Sequence, residues 1–221
     1  MSDWYIKFKD EIKEKLESIS VDFYFIAVSG GRDSVFLFYL LKDLFPIEKL
    51  VVLHMNHNLR GKQSDRDQEF VRSLAKQYGV ICLTTSVYLN LKPGTGGLEN
   101  VARIARYEWF KEKIDNKKTL IFCGHTLDDH IETILMKMHR GAGLSGLKGI
   151  SFQQEILGLN ICRPLLFTER HHITKYLEDN KYPWCEDHTN ASPEYFRNDI
   201  RLNLIPLLSA STKLRLVKLS V

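Results

Sequence analysis

The 221-residue chain carries 31 Lys and Arg against 27 Asp and Glu, a formal charge of +4, and 44% of its residues are hydrophobic. That length and composition suit one well-buried domain and exclude a low-complexity chain, while the mild positive charge admits an anionic partner without demanding nucleic acid. The four cysteines, Cys82, Cys123, Cys162 and Cys185, form no C-x-x-C pair, which argues against a disulfide framework or zinc knuckle and for a reducing compartment.

In chain order, residues 1–21 read as a charged amphipathic helix rather than a signal peptide. No apolar run reaches membrane-spanning length, so a cytoplasmic location is expected. Apolar runs rich in β-branched and aromatic residues recur at 22–28, 50–54, 80–87 and 119–123. Helical patterns lie between them at 34–44, 64–78 and 98–114, with another at 126–139 after the fourth run. This alternation predicts an α/β fold, an open, mostly parallel five-stranded sheet with helices on both faces. Ser64 and Asp67 read as N-cap and N3 of the helix over 64–78. The texture changes after residue 145. Residues 146–210 read as a small C-terminal extension, with a hairpin over "ISFQQEILGLNICRPLL", a helix near 169–180 and the polar stretch "WCEDHTNASPEYFRNDIR". Residues 211–221 read as a tail without a clear capping or core role.

Two segments concentrate chemistry. The first is Ser29-Gly30-Gly31-Arg32-Asp33-Ser34, where the first strand turns into a helix. Two glycines let the backbone curl, and a helix N-terminus presents N–H groups to an anion. The lysine of a G-K-[ST] turn is absent, and the spacing is not G-x-G-x-x-G. A plain strand–helix turn capped by Ser29 or Asp33 competes with a phosphate cradle. Asp33 favours the cradle, because a carboxylate beside a phosphate turn is a natural Mg²⁺ ligand. The second segment is "GHTLDDHIETILMKMHR". Leu127, Ile131, Leu135 and Met138 form one stripe, expected to pack on the sheet, while Asp128, Asp129 and Glu132 lie opposite with His125 just before the helix. A Thr126–Asp129 capping box explains one or two acids, but Glu132 a turn later calls for a cation, either Mg²⁺ or an ammonium. His54 and His57 have H-x-x-H spacing without a third ligand, so His54 is expected to be packed at a strand end. Arg103 lies i,i+4 from Tyr107 on a helix face. Arg197 and Arg201 share a helix face suited to phosphate contacts.

Taken together, "SGGRDS", "HMNHNLRGKQSDRD", "ENVARIARY", "GHTLDDHIETILMKMHRGAGLSGLKGI", "RPLL" and "DHTNASPEYFRNDIR" resemble the tRNA(Ile)-lysidine synthase branch of the N-type ATP pyrophosphatases, over residues 22–208. The resemblance implies a catalytic domain at 22–145 and ATP cleavage to AMP and pyrophosphate. ATP would adenylate the C2 oxygen of the wobble cytidine in a CAU-anticodon isoleucine tRNA, and L-lysine would then displace AMP. It implies ATP binding by Ser29, Gly30, Gly31, Arg32, Asp33 and Ser34, with Asp33 as Mg²⁺ ligand. Lysine recognition falls to Asp128, Asp129 and Glu132, and His125 is the candidate base. Arg103, Arg106, Arg197 and Arg201 are candidates for phosphate or tRNA contacts. His130 stands where the family commonly has Gln; it falls off the acid face, so little effect is expected. The tRNA-binding C-terminal domains of longer members are expected to be absent from this chain. The nearest rival is a tRNA thiolase of the same superfamily, which usually needs a cysteine pair; a catalytically impaired tRNA- and ATP-binding fragment is the other. The oligomeric state is open, a homodimer included.

Overall fold

A computed structural model describes residues 3–59, 61–88, 97–114, 118–143, 146–186 and 199–219. Four parallel strands form its centre: β1 (Phe23–Ala27), β2 (Leu50–Asn56), β3 (Ile81–Ser86) and β4 (Thr119–Phe122). Their connections are α2 (Arg32–Leu44), α3 (Lys62–Gln77) and α4 (Leu98–Lys113), preceded by α1 (Asp3–Leu16). The expected sheet of five strands has six, because β5 (Gln153–Ile156) and β6 (Leu159–Cys162) both join it. β6 runs parallel to β4, and β5 closes the edge antiparallel to β6 in the order β3-β2-β1-β4-β6-β5. The hairpin is therefore continuous with the main sheet, its two-residue turn made by Leu157 and Gly158, both at positive φ.

Alternating residues of each central strand enter opposite layers, which is why these strands read as unbroken apolar runs. Tyr24, Ile26, Val52, Leu120 and Phe122 pack with α1, α2, α3 and α6 (Arg170–Asp179). Phe25, Val51, Leu53 and Ile121 face the other way, against Tyr107 and Phe110 of α4. The chain winds outward from β1 through β2 to β3, then returns to place β4 on the other side of β1. That reversal opens a crevice at the carboxyl ends of β1 and β4, where ligands bind in open α/β sheets.

Three local expectations are corrected. The helix α5 (Leu127–His139) does not use its apolar stripe on the sheet. Leu127, Ile131 and Leu135 pack instead on Ile200, Ile205, Leu208 and Leu216, while Met138 is half-exposed. Residues 211–219 belong to a helix, α7 (Ala210–Leu219), rather than a loose tail. Ser209 Oγ accepts the Thr212 N–H, and Leu216 is part of the cluster around α5. α3 begins at Lys62 with Gly61 at its N-cap, so Ser64 is a buried residue inside the helix rather than its cap.

Candidate active site

A cleft of about 670 Å³ lies at the carboxyl edge of the sheet. Its walls include Ser29, Gly31, Asp33 and Ser34 of the first turn, the end of β2, Arg106 of α4, and His125 and Asp129 at the start of α5.

The first turn is braced by its own serines. Ser34 Oγ donates to the Gly31 carbonyl (2.8 Å) and accepts the Ser29 N–H (3.1 Å), and Ser29 Oγ accepts the Gly31 N–H (3.3 Å). Gly30 sits at φ 94°, a conformation that favours glycine, and its carbonyl accepts the Cys185 N–H. α2 starts with Gly31 at the N-cap and no side-chain cap, so neither Ser29 nor Asp33 caps the helix. The first amides of α2 therefore point at the cleft without a capping side chain, as anion binding requires. Gly124, at the end of β4, packs so closely on this turn that a Cβ there would meet the backbone of Asp33 and Ser34 at 3.2 Å. That glycine lets the two halves of the site touch.

The acid face of α5 is a buried ion-pair cluster. Asp129 Oδ2 accepts from the N–H (2.8 Å) and hydroxyl (3.0 Å) of Thr126, as a capping acid does. Its Oδ1 takes Arg170 Nη2 (2.9 Å) and Arg201 Nη2 (3.2 Å). Glu132 has no exposed surface, and Arg201 grips both its oxygens at 2.6 and 3.0 Å. Glu132, expected from sequence to meet a ligand ammonium, is paired here with a cation from within the chain. Arg170, the first residue of α6, also reaches Asp33 (3.2 Å), Asp128 (3.7 Å) and Glu132 (3.7 Å). Burial alone would raise the Asp129 carboxyl, but Arg170, His125, the Thr126 N–H and Arg201 together hold it below the usual range. Burial wins at Asp128, whose carboxyl is raised despite Arg170 and Lys213.

The β2 side of the cleft is held neutral. His54 is buried at the strand end, as expected, and its Nδ1 donates to the Val28 carbonyl (2.8 Å). His57 Nε2 accepts from Arg106 (3.4 Å), and burial with that arginine pushes its pKa down to about 4. His130 is buried off the acid face, where its Nδ1 accepts the Ile150 N–H (3.1 Å).

Of the residues singled out from sequence, Ser29, Gly31, Asp33, Ser34, Arg106, His125, Asp129 and Arg201 line the cleft. Arg32 pairs with Asp33 (3.1 Å) at its rim, whereas Arg103 is exposed and lies over the Tyr107 ring at 5.7 Å. Arg197 lies outside the described residues. Sequence reasoning missed Arg170 and Gly124. Three acids on one helix face signalled a cation, but nothing in "FTERHH" marks Arg170 as its source, 41 residues from Asp129 and 137 from Asp33.

A family profile described as a PP-loop domain matches residues 4–208. A tRNA(Ile)-lysidine synthase of Solibacter usitatus is 40% identical over 87% of this chain and 42% of its own length. One from Chlorobaculum tepidum is 37% identical over 91% of this chain and 61% of its own. The chain thus spans roughly half the length of the curated relatives it matches. Among solved structures, the U34-tRNA thiolase NcsA from Methanococcus maripaludis with its [4Fe-4S] cluster superposes with TM-score 0.70 at 19% identity, covering 98% of this chain and 78% of that one. That likeness concerns the fold.

Proposed function

The chain belongs to the PP-loop family, and on that premise we propose that it is a lysidine-forming ligase acting on the wobble cytidine of a CAU-anticodon isoleucine tRNA. In this reading the C2 oxygen of the cytidine attacks the α-phosphorus of ATP and pyrophosphate leaves. The ε-amine of L-lysine then attacks C2, and AMP departs with the oxygen. Adenylation is needed because an unactivated carbonyl oxygen is a poor leaving group.

The observation that carries the proposal is the bridge made by Arg170. One guanidinium touches Asp33 of the nucleotide turn and Asp129 of the acid face, so the anion-binding and cation-binding halves share one cleft. The amides at the start of α2 would hold the leaving pyrophosphate, with Ser29 and Ser34 fixing the turn. Asp33 suits Mg²⁺, a cation held by one or two carboxylates plus substrate phosphates, and Mg²⁺ there would neutralise charge on those phosphates. Asp129, with its edge in the cleft, and neighbouring Asp128 would receive the lysine ammonium, while Glu132 acts by holding Arg201. His125 lies on the cleft wall near Asp129 and is the proposed acceptor of the amine proton. Arg106 and Arg201 would meet phosphate or tRNA.

The thiolase alternative fits less well. Burial pushes the Cys82 thiol up to about 11 and Cys162 to about 12, and it raises Cys123, so all three are poor nucleophiles. The test is to incubate the protein with radiolabelled lysine, ATP and the isoleucine tRNA. ATP-dependent incorporation supports the proposal; nucleotide binding without incorporation favours a non-catalytic fragment.

A further inference from the structure

Among the described residues, Asp33, Asp128, Asp129 and Glu132 are met by Arg32, Arg170, Arg201 and Lys213, the last shared with Glu169. A lysine ammonium approaching Asp129 therefore meets a carboxylate whose Oδ1 is already shared by two guanidinium groups. Binding must free part of that carboxylate, or the ammonium gains little over water.

Arg170 is placed to do this. The rest of α6 is anchored: Ile173, Tyr176 and Leu177 are buried, and Tyr176 stacks on Tyr5 at 4.1 Å and meets Phe36 edge-on. The Thr168 carbonyl, two residues earlier, accepts the Leu127 N–H at the start of α5. The Cα of Arg170 is thus held between the nucleotide turn and α5, while its flexible side chain divides itself between Asp33 and Asp129. We propose that Arg170 is a positioning residue that makes lysine binding depend on nucleotide binding. Phosphates at the start of α2 draw the guanidinium toward the turn and away from Asp129, whose carboxylate then accepts the ammonium. By linkage, lysine strengthens nucleotide binding by the same factor. The order of events is nucleotide first, then amine, so lysine does not occupy the site before ATP.

The inference rests on the lysine reading above, and its test separates the two. Lysine affinity is measured by calorimetry with and without a non-hydrolysable ATP analogue and Mg²⁺, for the unmodified chain, Arg170→Gln and Arg170→Lys. The expectation is at least about fivefold tighter lysine binding with the analogue in the unmodified chain, within the usual range of coupling between sites. Arg170→Gln is expected to bind lysine equally in both conditions. Arg170→Lys keeps the charge and supports folding, but a single ammonium cannot span both carboxylates, so it too loses the coupling. Undiminished coupling in either folded variant overturns the proposal. If the unmodified chain binds the analogue but never lysine, the lysine reading fails. The arginine is then judged by a second cycle: Asp129→Asn should change analogue affinity in the unmodified chain and leave it unchanged in Arg170→Lys. Equal effects in both backgrounds overturn the role of Arg170 independently.

Discussion

Replacing Glu132 with Leu removes a carboxylate that has no exposed surface while keeping most of its volume. Arg201 then loses contacts at 2.6 and 3.0 Å and, among the described residues, keeps Asp129 Oδ1 at 3.2 Å, an atom it shares with Arg170. Breaking a buried pair from one side costs about 3–5 kcal/mol, and because the Arg201 side chain is 22% exposed, water recovers part of it and the lower figure applies. Glu132→Leu should therefore lower the unfolding free energy by about 3 kcal/mol, read as a fall in urea midpoint at constant slope. Arg201→Met should cost a similar amount, since it removes both close contacts from the buried Glu132 carboxylate. The double variant has neither charge to strand and should come back to within about 1–2 kcal/mol of the parent, far from the sum of the singles. A single-variant loss below about 1 kcal/mol, or additive losses, would refute the claim that this is a buried, mutually dependent pair.

Three further predictions follow from particular contacts. His57 has a folded pKa of about 4 against an ordinary 6.5, so it binds fewer protons when folded. Its contribution to stability is complete above about pH 6.5 and is lost as pH falls toward 4, and His57→Gln should flatten the stability–pH curve in that window. Gly124→Ala drives a Cβ against the Asp33 and Ser34 backbone, so it should cost about 1–3 kcal/mol and weaken nucleotide affinity more than Lys175→Ala at an exposed position of α6. Cys185 lines the cleft and its N–H bonds the Gly30 carbonyl, so ATP should slow its alkylation, whereas buried Cys123 and Cys162 should react only after unfolding.

Much of the fold was legible because β1, β2 and β4 are buried on both faces, and such strands announce themselves as unbroken apolar runs between amphipathic helices. The hairpin of β5 and β6 was read, but not its joining of the main sheet, which rests on the distant pairing of β6 with β4; Gln153, Gln154 and Glu155 of β5 then form a polar, largely exposed edge. The stripe on α5 was read correctly as apolar, yet its partner was not. Periodicity tells which face is buried and not what covers it, and the cover came from Ile200, Ile205 and Leu216, distant in sequence. In the site, the turn at 29–34 and the acids at 128, 129 and 132 were visible because each is a short local pattern. Arg170 was not, because an ion pair spanning 137 residues leaves no trace in spacing. Charge was the usable clue: three clustered acids called for cations, and the chain supplies them from Arg170 of α6 and from Arg201 in the short helical segment Ile200–Leu204.

The central claim is that the turn at residues 29–34 and the acid face serve two steps joined by an adenylated tRNA. Incubating the protein with α-³²P-labelled ATP, Mg²⁺ and the CAU-anticodon isoleucine tRNA, in the absence of lysine, tests it most directly. Label is expected on the tRNA and should be discharged as AMP when L-lysine is added, with lysidine appearing in equal amount. Unlabelled tRNA from a protein that binds ATP, or label that lysine does not discharge, would contradict it.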